Sequence, residues 1–401
     1  MRITQTRDIR SVNRREVFRC LLDHYPLSRQ ELCGRTGLNK STVSVIVKEW
    51  MERGLVVETE RGASASGRKP IMLQPSVNAG FAVAIDLDVS HFTVMTCDLS
   101  GERVLDELRL PIEQTDFPTV CGRLFSAVDA LVARRPASRY GLIGIGIAVH
   151  GIVDLTGTIR FVPQLDWHDI DVRSLFAERY GIPVLVDNDG NFAVTVEQRA
   201  EIRLGEGTGD DPDAGRDLSF VSISDTISGG QVVNGRLLRG HHGFANAIGH
   251  HTVQQDEPVR CRCGRYGCWE QYCSDVAVLS SASALRGEPV RSMDEFVDLV
   301  RHQDPAAREA LDRFLTHLAI GLTNIISIFD TQLIAINARL LNEFPSYLPE
   351  VQRRMTLPIT HFETVVLART GGRGAVLGAA DAAVDRFFEG LSVGEGEPER
   401  P

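Results

Sequence analysis

Several signatures of membrane and secreted proteins are missing from this 401-residue sequence. No apolar run approaches the roughly 20 residues that a membrane-spanning helix needs. Residues 1–20 are rich in arginine and lack the apolar segment of a secretion signal. These absences argue against both classes, and we expect a cytoplasmic protein that does not bind a membrane.

The cysteines of the chain lack the distribution of a disulfide framework. The chain has 8 cysteines, and four of them fall within residues 261–273. This uneven distribution does not suit a disulfide framework, whereas it fits a protein of a reducing compartment with one metal site.

The cysteine-rich segment has the ligands of a tetrahedral structural zinc, because three thiolates and one imidazole fill the coordination shell. The predicted ligands are His250, Cys261, Cys263 and Cys268. Gly264 and Gly267 let the backbone turn tightly enough for the three thiols to converge. A filled shell leaves no open position for catalysis, so the predicted cofactor is a structural Zn²⁺.

Two alternatives remain open in this segment. His251 competes with His250 as the imidazole ligand, and the thiols could instead be buried as small apolar groups, although packing does not demand this spacing. We expect Cys273 to be a core thiol rather than a ligand.

Length and charge divide the chain. It is too long for one hydrophobic core and suggests two or three domains. Residues 1–74 carry 14 Lys and Arg against 8 Asp and Glu, whereas the remainder carries 29 against 45. A basic module on an acidic body is typical of a nucleic-acid-binding domain attached to a sensor or an enzyme.

Local patterns predict three helices in the basic module. Apolar residues recur on one helical stripe from Ile9 to Leu22. Ser28 and Glu31 have the spacing of a capping box, which starts a second helix that Gly37 ends. Asn39 caps a third helix. Its core-facing residues are Val43, Ile46, Val47, Trp50 and Met51.

Two short helices joined by a glycine turn indicate a helix-turn-helix, whose second helix enters the major groove of DNA. The outward residues of that helix, which we expect to contact DNA, are Lys40, Ser41, Thr42, Ser44, Val45 and Lys48. Two strand-like runs, 55–59 and 71–73, predict a wing with Arg68 and Lys69 on the DNA backbone or in the minor groove. Residues 1–74 are therefore predicted to form a winged helix-turn-helix domain that binds double-stranded DNA; a helical protein-interaction domain is the alternative.

Beyond residue 74, short apolar runs alternate with helical patterns, which predicts an α/β fold. We expect this body to span residues 75–390. Residues 391–401 are rich in Gly, Glu and Pro and are predicted to be a disordered tail.

Four segments of the body resemble the ROK family of repressors, open reading frames and sugar kinases. They are Asp187-Asn188-Asp189-Gly190-Asn191, Ile248-Gly249-His250, the cysteine cluster ending in Trp269-Glu270, and residues 371–380. The resemblance covers roughly residues 75–385. It implies a two-lobed actin-like, hexokinase-like (ribonuclease H-like) fold, with one lobe at about 75–190 plus the C-terminal helix, the other at 191–370, and a sugar cleft between them.

The resemblance also implies a set of sugar-binding residues, namely Asn188, Asp189, His250 and Glu270. Asp189 matches the base that deprotonates the sugar hydroxyl in the family's kinases. The family's glutamate three residues before the histidine is replaced by Ala247, which removes one or two hydroxyl contacts.

The nucleotide side departs from the kinase pattern at three places. The family's Asp-x-Gly-Gly-Thr is replaced by 86–90, with Asp88 and Val89 at the two glycine positions. The second phosphate loop, 224–230, gains Asp225, and a Gly-Gly pair on the adenosine side becomes Asn337-Ala338. Phosphate would meet carboxylates where it needs open backbone amides.

These observations predict a sugar-responsive regulator of carbohydrate metabolism genes, without kinase activity, that binds its operator as a homodimer or homotetramer and acts as a repressor. Two alternatives stay open: a sugar kinase with residual ATP-dependent activity, and a regulator whose body docks another protein.

Overall fold

The computed structural model describes residues 6–61, 70–203, 217–256, 258–355 and 364–393. The helices in these ranges are α1 Thr6–His24, α2 Arg29–Thr36, α3 Lys40–Glu52, α4 Phe117–Ala133, α5 Val172–Tyr180, α6 Asp189–Arg203, α7 Glu270–Cys273, α8 Asp275–Arg286, α9 Met293–Arg301, α10 Pro305–Phe329, α11 Arg339–Glu343, α12 Leu348–Arg354 and α13 Gly374–Val393. The strands are β1 Leu27–Ser28, β2 Val56–Arg61, β3 Ile71–Pro75, β4 Gly80–Leu87, β5 His91–Asp98, β6 Val104–Pro111, β7 Gly141–Val149, β8 Ile152–Val153, β9 Ile159–Val162, β10 Trp167–Ile170, β11 Val184–Asn188, β12 Leu218–Ile223, β13 Ile227–Val233, β14 Arg236–Leu237, β15 Leu333–Ala338 and β16 Thr364–Leu367.

The N-terminal module consists of α1–α3 and a small antiparallel sheet in the order β1-β3-β2. The predicted capping box is confirmed: the Glu31 N–H donates to Ser28 Oγ at 3.2 Å, and the Ser28 N–H donates to Glu31 Oε2 at 2.7 Å. Gly37 ends α2 in the left-handed conformation, and Asn39 Oδ1 accepts from the Thr42 N–H at 2.8 Å to start α3. Helix α2 therefore begins and ends where its local signals predict, and α3 begins at its predicted cap. Helix α1 is longer than the predicted stripe from Ile9 to Leu22.

The core of this module is completed by the far end of the chain. Phe388 of α13 stacks on Phe18 of α1 with ring centroids 3.5 Å apart and meets the edge of Trp50 of α3 at 5.7 Å. All three rings are buried in one apolar cluster that continues into the body. The boundary at residue 74 thus separates elements of the chain but not separate hydrophobic cores.

The body contains two five-stranded sheets, in the orders β11-β7-β4-β5-β6 and β14-β13-β12-β15-β16. In the first sheet β11, β7 and β4 are parallel, and in the second β12, β15 and β16 are parallel. Helix α13 packs against β4 and β7, whereas α6 packs against β12, β13 and α13. The α/β prediction is confirmed, and α6 lies between the two sheets.

The beginning of α6 makes direct backbone contact with the second sheet. A Cβ atom at Gly190 would lie 2.3 Å from the Gly229 carbonyl oxygen, so only glycine permits this approach. The first turn of α6 is thereby held against β13, which places Asp189 at the boundary between the lobes.

The C-terminal prediction needs a correction. Helix α13 continues to Val393 and Leu391 is buried, because its side chain joins the cluster around Phe388. Residues 394–401 lie outside the described residues. Among the helices that the structure describes, none is long and apolar enough to cross a membrane.

Candidate functional sites

The four predicted metal ligands converge. Their ligand atoms all lie within 4.8 Å of one another. Cys263 Sγ is 3.7 Å from Cys268 Sγ, and Cys261 Sγ is 3.7 Å from His250 Nδ1. These separations match the edges of a tetrahedron around Zn²⁺, since a Zn–S bond of about 2.3 Å places two sulfurs about 3.8 Å apart. The cluster can hold a metal ion, and the residues present fit zinc.

The turn that gathers the thiols depends on glycine as predicted. Gly264 and Gly267 have φ values of 89° and 72°. A Cβ at Gly267 would lie 2.0 Å from the Gln254 carbonyl oxygen. A side chain at this position would push the loop away from its neighbour and separate Cys268 from the other ligands.

The structure favours His250 over His251 as the imidazole of the cluster. His251 lies outside the cluster and stacks on Trp269 with centroids 5.0 Å apart, and burial lowers the pKa of its imidazole to about 4. Cys273 is fully buried and donates to the Phe314 carbonyl at 3.8 Å, which confirms that it is a core thiol.

A second cluster lies at the carboxyl ends of three parallel strands. Asp86 is the penultimate residue of β4, His150 follows β7, and Asn188 ends β11. Because parallel strands end at the same edge of a sheet, these side chains meet where ligands commonly bind in α/β proteins. Asp189, the first residue of α6, faces the same place.

Asp189 is buried and strongly hydrogen-bonded. Its Oδ1 accepts from Asn188 Nδ2 at 2.9 Å and its Oδ2 accepts from Ser228 Oγ at 2.5 Å. His150 Nδ1 lies 3.6 Å from Oδ2, and His150 Nε2 lies 3.0 Å from Asp86 Oδ1. Asp189 is therefore fixed by groups from both lobes.

The charges in this cluster compensate one another. Burial alone would lower the pKa of His150, but the carboxylates of Asp189, Asp88 and Asp86 outweigh burial and raise it well above its usual value. Burial raises the pKa of Asp189, while His150 and Ser228 oppose that rise. The surroundings thus favour the charged form of His150, which lies between Asp86 and Asp189.

The other two predicted sugar residues adjoin both sites. Glu270 is buried, and its Oε1 accepts from the Cys261 thiol at 3.1 Å and lies 3.7 Å from His250 Nδ1. His250 presents Nδ1 to the metal cluster, which leaves Nε2 as its only free ring atom for a sugar. Both residues line one cavity with Asn188 and Asp189.

That cavity is small. Its volume is about 50 Å³, and its wall also includes His150, Gln164, Ser228 and Ala247. Ligand pockets usually measure roughly 300 Å³ or more. A sugar can enter only if the walls of the cavity separate.

The segments that the sequence analysis assigned to the nucleotide side have a different chemistry. Asp88 is buried, and its Oδ1 accepts from the Val89 N–H at 2.5 Å, so this backbone amide is already engaged. Asp275, at the start of α8, lies near Asp225. Burial, reinforced by the charge of Asp225, raises the pKa of Asp275 to about 7.

The predicted DNA-contacting residues lie on the outer face of α3. Val45 is 65% exposed, and Lys40, Ser41 and Lys48 are exposed as well. Thr42 and Ser44 are half-buried. The other two predicted contacts, Arg68 and Lys69, lie outside the described residues.

Sequence reasoning missed His150 and Ser228 as parts of the polar cluster. His150 directly follows a nine-residue apolar strand, and a polar residue at that point of a parallel strand is the signal that could have identified it. Ser228 comes from the other lobe, 39 residues beyond Asp189, and nothing local marks it.

Comparison with known proteins agrees with this architecture. Residues 82–386 match the ROK family. The chain belongs to the ROK family. It is 32% identical over 389 residues to the xylose repressor of Bacillus subtilis, covering 96% of this chain and 98% of the relative.

Two solved ROK structures show the same fold. One is a ROK family transcriptional regulator, a homologue of the E. coli Mlc protein, with a TM-score of 0.78 and 23% identity over 97% of this chain and all of the other. The second is a Streptomyces griseus glucokinase in complex with glucose and AMPPNP, with a TM-score of 0.62 and 25% identity over 76% of this chain and 99% of the other. The regulator thus matches the N-terminal module as well as the two-lobed, actin-like body.

Proposed function

We propose that the protein is a sugar-sensing transcriptional repressor of carbohydrate metabolism genes. The observation that carries this function is the presence, in one chain, of an exposed recognition helix and a buried polar cavity between two lobes. The likeness to a xylose repressor along 96% of the chain supports it and makes D-xylose the first effector to test.

The DNA-binding half of this proposal rests on α3. We expect the outward residues of α3 to contact base edges, with Arg68 and Lys69 on the backbone or in the minor groove. Two copies of the chain would then bind a pseudo-palindromic operator whose half-sites are about one helical turn, or a multiple of it, apart.

A pair of matched substitutions tests DNA binding. Val45 and Ile328 are both apolar and exposed, at 65% and 69%, but Ile328 lies on α10 of the body. Val45→Glu places a carboxylate on the recognition face and should weaken operator binding about tenfold or more, whereas Ile328→Glu should not. Fluorescence anisotropy on an operator selected from genomic DNA, with and without D-xylose, measures both DNA binding and its response. Equal losses in the two variants would contradict the assignment of α3.

We also propose that phosphoryl transfer has been lost. Asp88 blocks a backbone amide, Asp225 and Asp275 add negative charge, and His150 neutralises the carboxylate that would act as base. Phosphoryl transfer requires positioned phosphate and metal, which these groups oppose. A coupled assay with ATP and a panel of hexoses and pentoses should show no turnover; turnover abolished by Asp189→Ala would favour the kinase alternative.

For the metal cluster we propose one structural Zn²⁺ per chain, held by His250, Cys261, Cys263 and Cys268. Zinc would stabilise the wall of the cavity that carries Glu270. A metal-bound thiolate has no proton to donate, so zinc would also release Glu270 Oε1 from its bond with Cys261 and leave that oxygen available to a sugar hydroxyl.

A further inference from the structure

A buried ion-pair network connects the N-terminal module to the body where α1, α6 and α13 meet. Arg199 of α6 lies 3.2 Å (Nε) and 3.1 Å (Nη2) from Asp23 Oδ1 of α1. Arg199 Nη1 also contacts Asp381 Oδ1 of α13. The exposed fractions of the three side chains are only 8%, 12% and 9%, so water does not replace these partners.

The same helix begins at the proposed sugar cavity. Asp189 is the first residue of α6 and Arg199 is ten residues further, which corresponds to about 15 Å along a helix axis. Helix α6 is therefore a rigid connection between a cavity residue and a residue that holds the N-terminal module.

Sugar entry between the two lobes would disturb this helix. The cavity of about 50 Å³ cannot hold a sugar ring in its present form. Its walls include Asn188 and Asp189 on one side and Ser228 on the other, and Ser228 is bonded to Asp189 across the lobes. Widening the cavity separates these groups and moves the first turn of α6 relative to β13.

We infer that Arg199 is the positioning residue that transmits the state of the sugar cavity to the DNA-binding module, by exchanging or weakening its contact with Asp23 when α6 moves. This role rests on the proposed function. The apolar contact between Phe18 and Phe388 holds the module in place but tolerates small sliding, whereas a buried guanidinium needs its carboxylate partners at hydrogen-bond distance. Small movements of α6 therefore change the ion pair but leave the aromatic stack intact.

The chain offers a matched control for this role. Arg19 of α1 lies 2.8 Å from Asp385 of α13, which is a second ion pair between the module and the body, and neither residue belongs to α6. Arg19 also lies 3.9 Å from Asp381, the other partner of Arg199, so the two ion pairs are joined only through this longer contact. Asp23→Asn and Asp385→Asn each remove one charge from the junction. Only Asp23→Asn interrupts the connection through α6, and it leaves the contact between Arg199 and Asp381 in place.

The experiment measures operator affinity by anisotropy with and without saturating D-xylose, in full-length wild type, Asp23→Asn, Asp385→Asn and Asp23→Glu. Effector couplings of this kind usually change affinity about 5- to 150-fold. We expect this ratio to fall toward 1 in Asp23→Asn, to stay at the wild-type value in Asp385→Asn, and to be largely kept in Asp23→Glu. Because the wild type gives up part of the Arg199–Asp23 contact when xylose binds, the xylose affinity without DNA, measured by calorimetry, should rise in Asp23→Asn and stay unchanged in Asp385→Asn. A variant that is merely destabilised would instead bind xylose equally or less tightly.

The outcomes separate two kinds of failure. A wild type that responds to xylose together with an Asp23→Asn variant that responds equally overturns the role of Arg199 alone. Equal losses in Asp23→Asn and Asp385→Asn also overturn it, because the junction would then act only as a structural support. A wild type that binds the operator but ignores xylose overturns the proposed effector and, with it, the transmission role.

Discussion

Both sides of the cleft carry carboxylates, but the hydrogen bonds and charges that surround these carboxylates differ. On the sugar side, Asp189 is hydrogen-bonded by Asn188 and Ser228 and is balanced by the His150 imidazolium. On the proposed nucleotide side, burial, reinforced by the charge of Asp225 and opposed by Arg339, raises the pKa of Asp275 to about 7. Compensated carboxylates suit a polyol, whereas carboxylates without such compensation repel a phosphate. The difference supports the proposal that the protein binds a sugar but does not transfer a phosphoryl group.

The metal cluster lies next to Glu270 on the sugar side of the cleft. Loss of its metal ion should give the largest effect on stability and on sugar binding. Cys263→Ser takes away one of four ligands, and structural zinc sites contribute roughly 10 kcal/mol of apparent binding free energy. We expect loss of zinc in elemental analysis, a strongly lowered Tm and no sugar binding. Cys273→Ser, which changes a core thiol outside the cluster, should retain one zinc per chain. Full zinc content in Cys263→Ser would contradict the ligand set.

An intermediate effect, on sugar affinity, is expected when one carboxylate on each side of the cleft is replaced by alanine in separate variants. Asp189→Ala removes a charged acceptor and should weaken sugar binding about 10- to 200-fold, since hydrogen bonds to charged groups contribute about 1.5–3 kcal/mol. Asp225→Ala should leave sugar affinity unchanged. Calorimetry with D-xylose measures both, and a similar loss in the two variants would abolish the contrast between the two sides.

The smallest expected effect is a pH dependence of stability that comes from Asp275 on the nucleotide side. The pKa of Asp275, about 7, lies above the usual aspartate value of 3.8, so the folded state holds this proton more tightly than the unfolded state. The stability that protonation gives is complete below about pH 4 and is lost as the pH rises through 7.

Asp275→Asn has no such proton to lose. The Tm of this variant, relative to the Tm of the wild type, should therefore rise between pH 5 and pH 8.5. We expect a gain of about 1 kcal/mol, or roughly 2–4 °C. Glu288→Gln, an exposed neighbour in the same lobe, should show no gain. If the difference in Tm between Asp275→Asn and wild type stays constant across this pH range, burial does not raise the pKa of Asp275.

What could be predicted from the sequence follows from how far apart the interacting residues lie. Ser28 and Glu31 are three positions apart, so their capping box is visible in the sequence. The metal ligands span only 19 positions and share a recognisable spacing. Arg199, by contrast, meets Asp23 across 176 positions, and no local pattern records such a pair.

The charge balance of the cleft was predicted only in part. The carboxylates at Asp88 and Asp225 are visible as departures from the glycines of the family's kinases. Their burial, the engaged Val89 amide and the imidazolium of His150 depend on strand ends that only the fold brings together. The apolar cluster that crosses the predicted boundary at residue 74 could not be predicted for the same reason, since Phe388 is too distant in sequence to be recognised as a partner of Phe18.

The position of Phe388 in the core of the N-terminal module has a consequence for folding. The ring of Phe388 completes the packing of Phe18 and Trp50, although these residues are far apart in the chain. A fragment without α13 would leave both of these rings partly uncovered. The N-terminal module should therefore be less stable as an isolated fragment than it is in the whole chain.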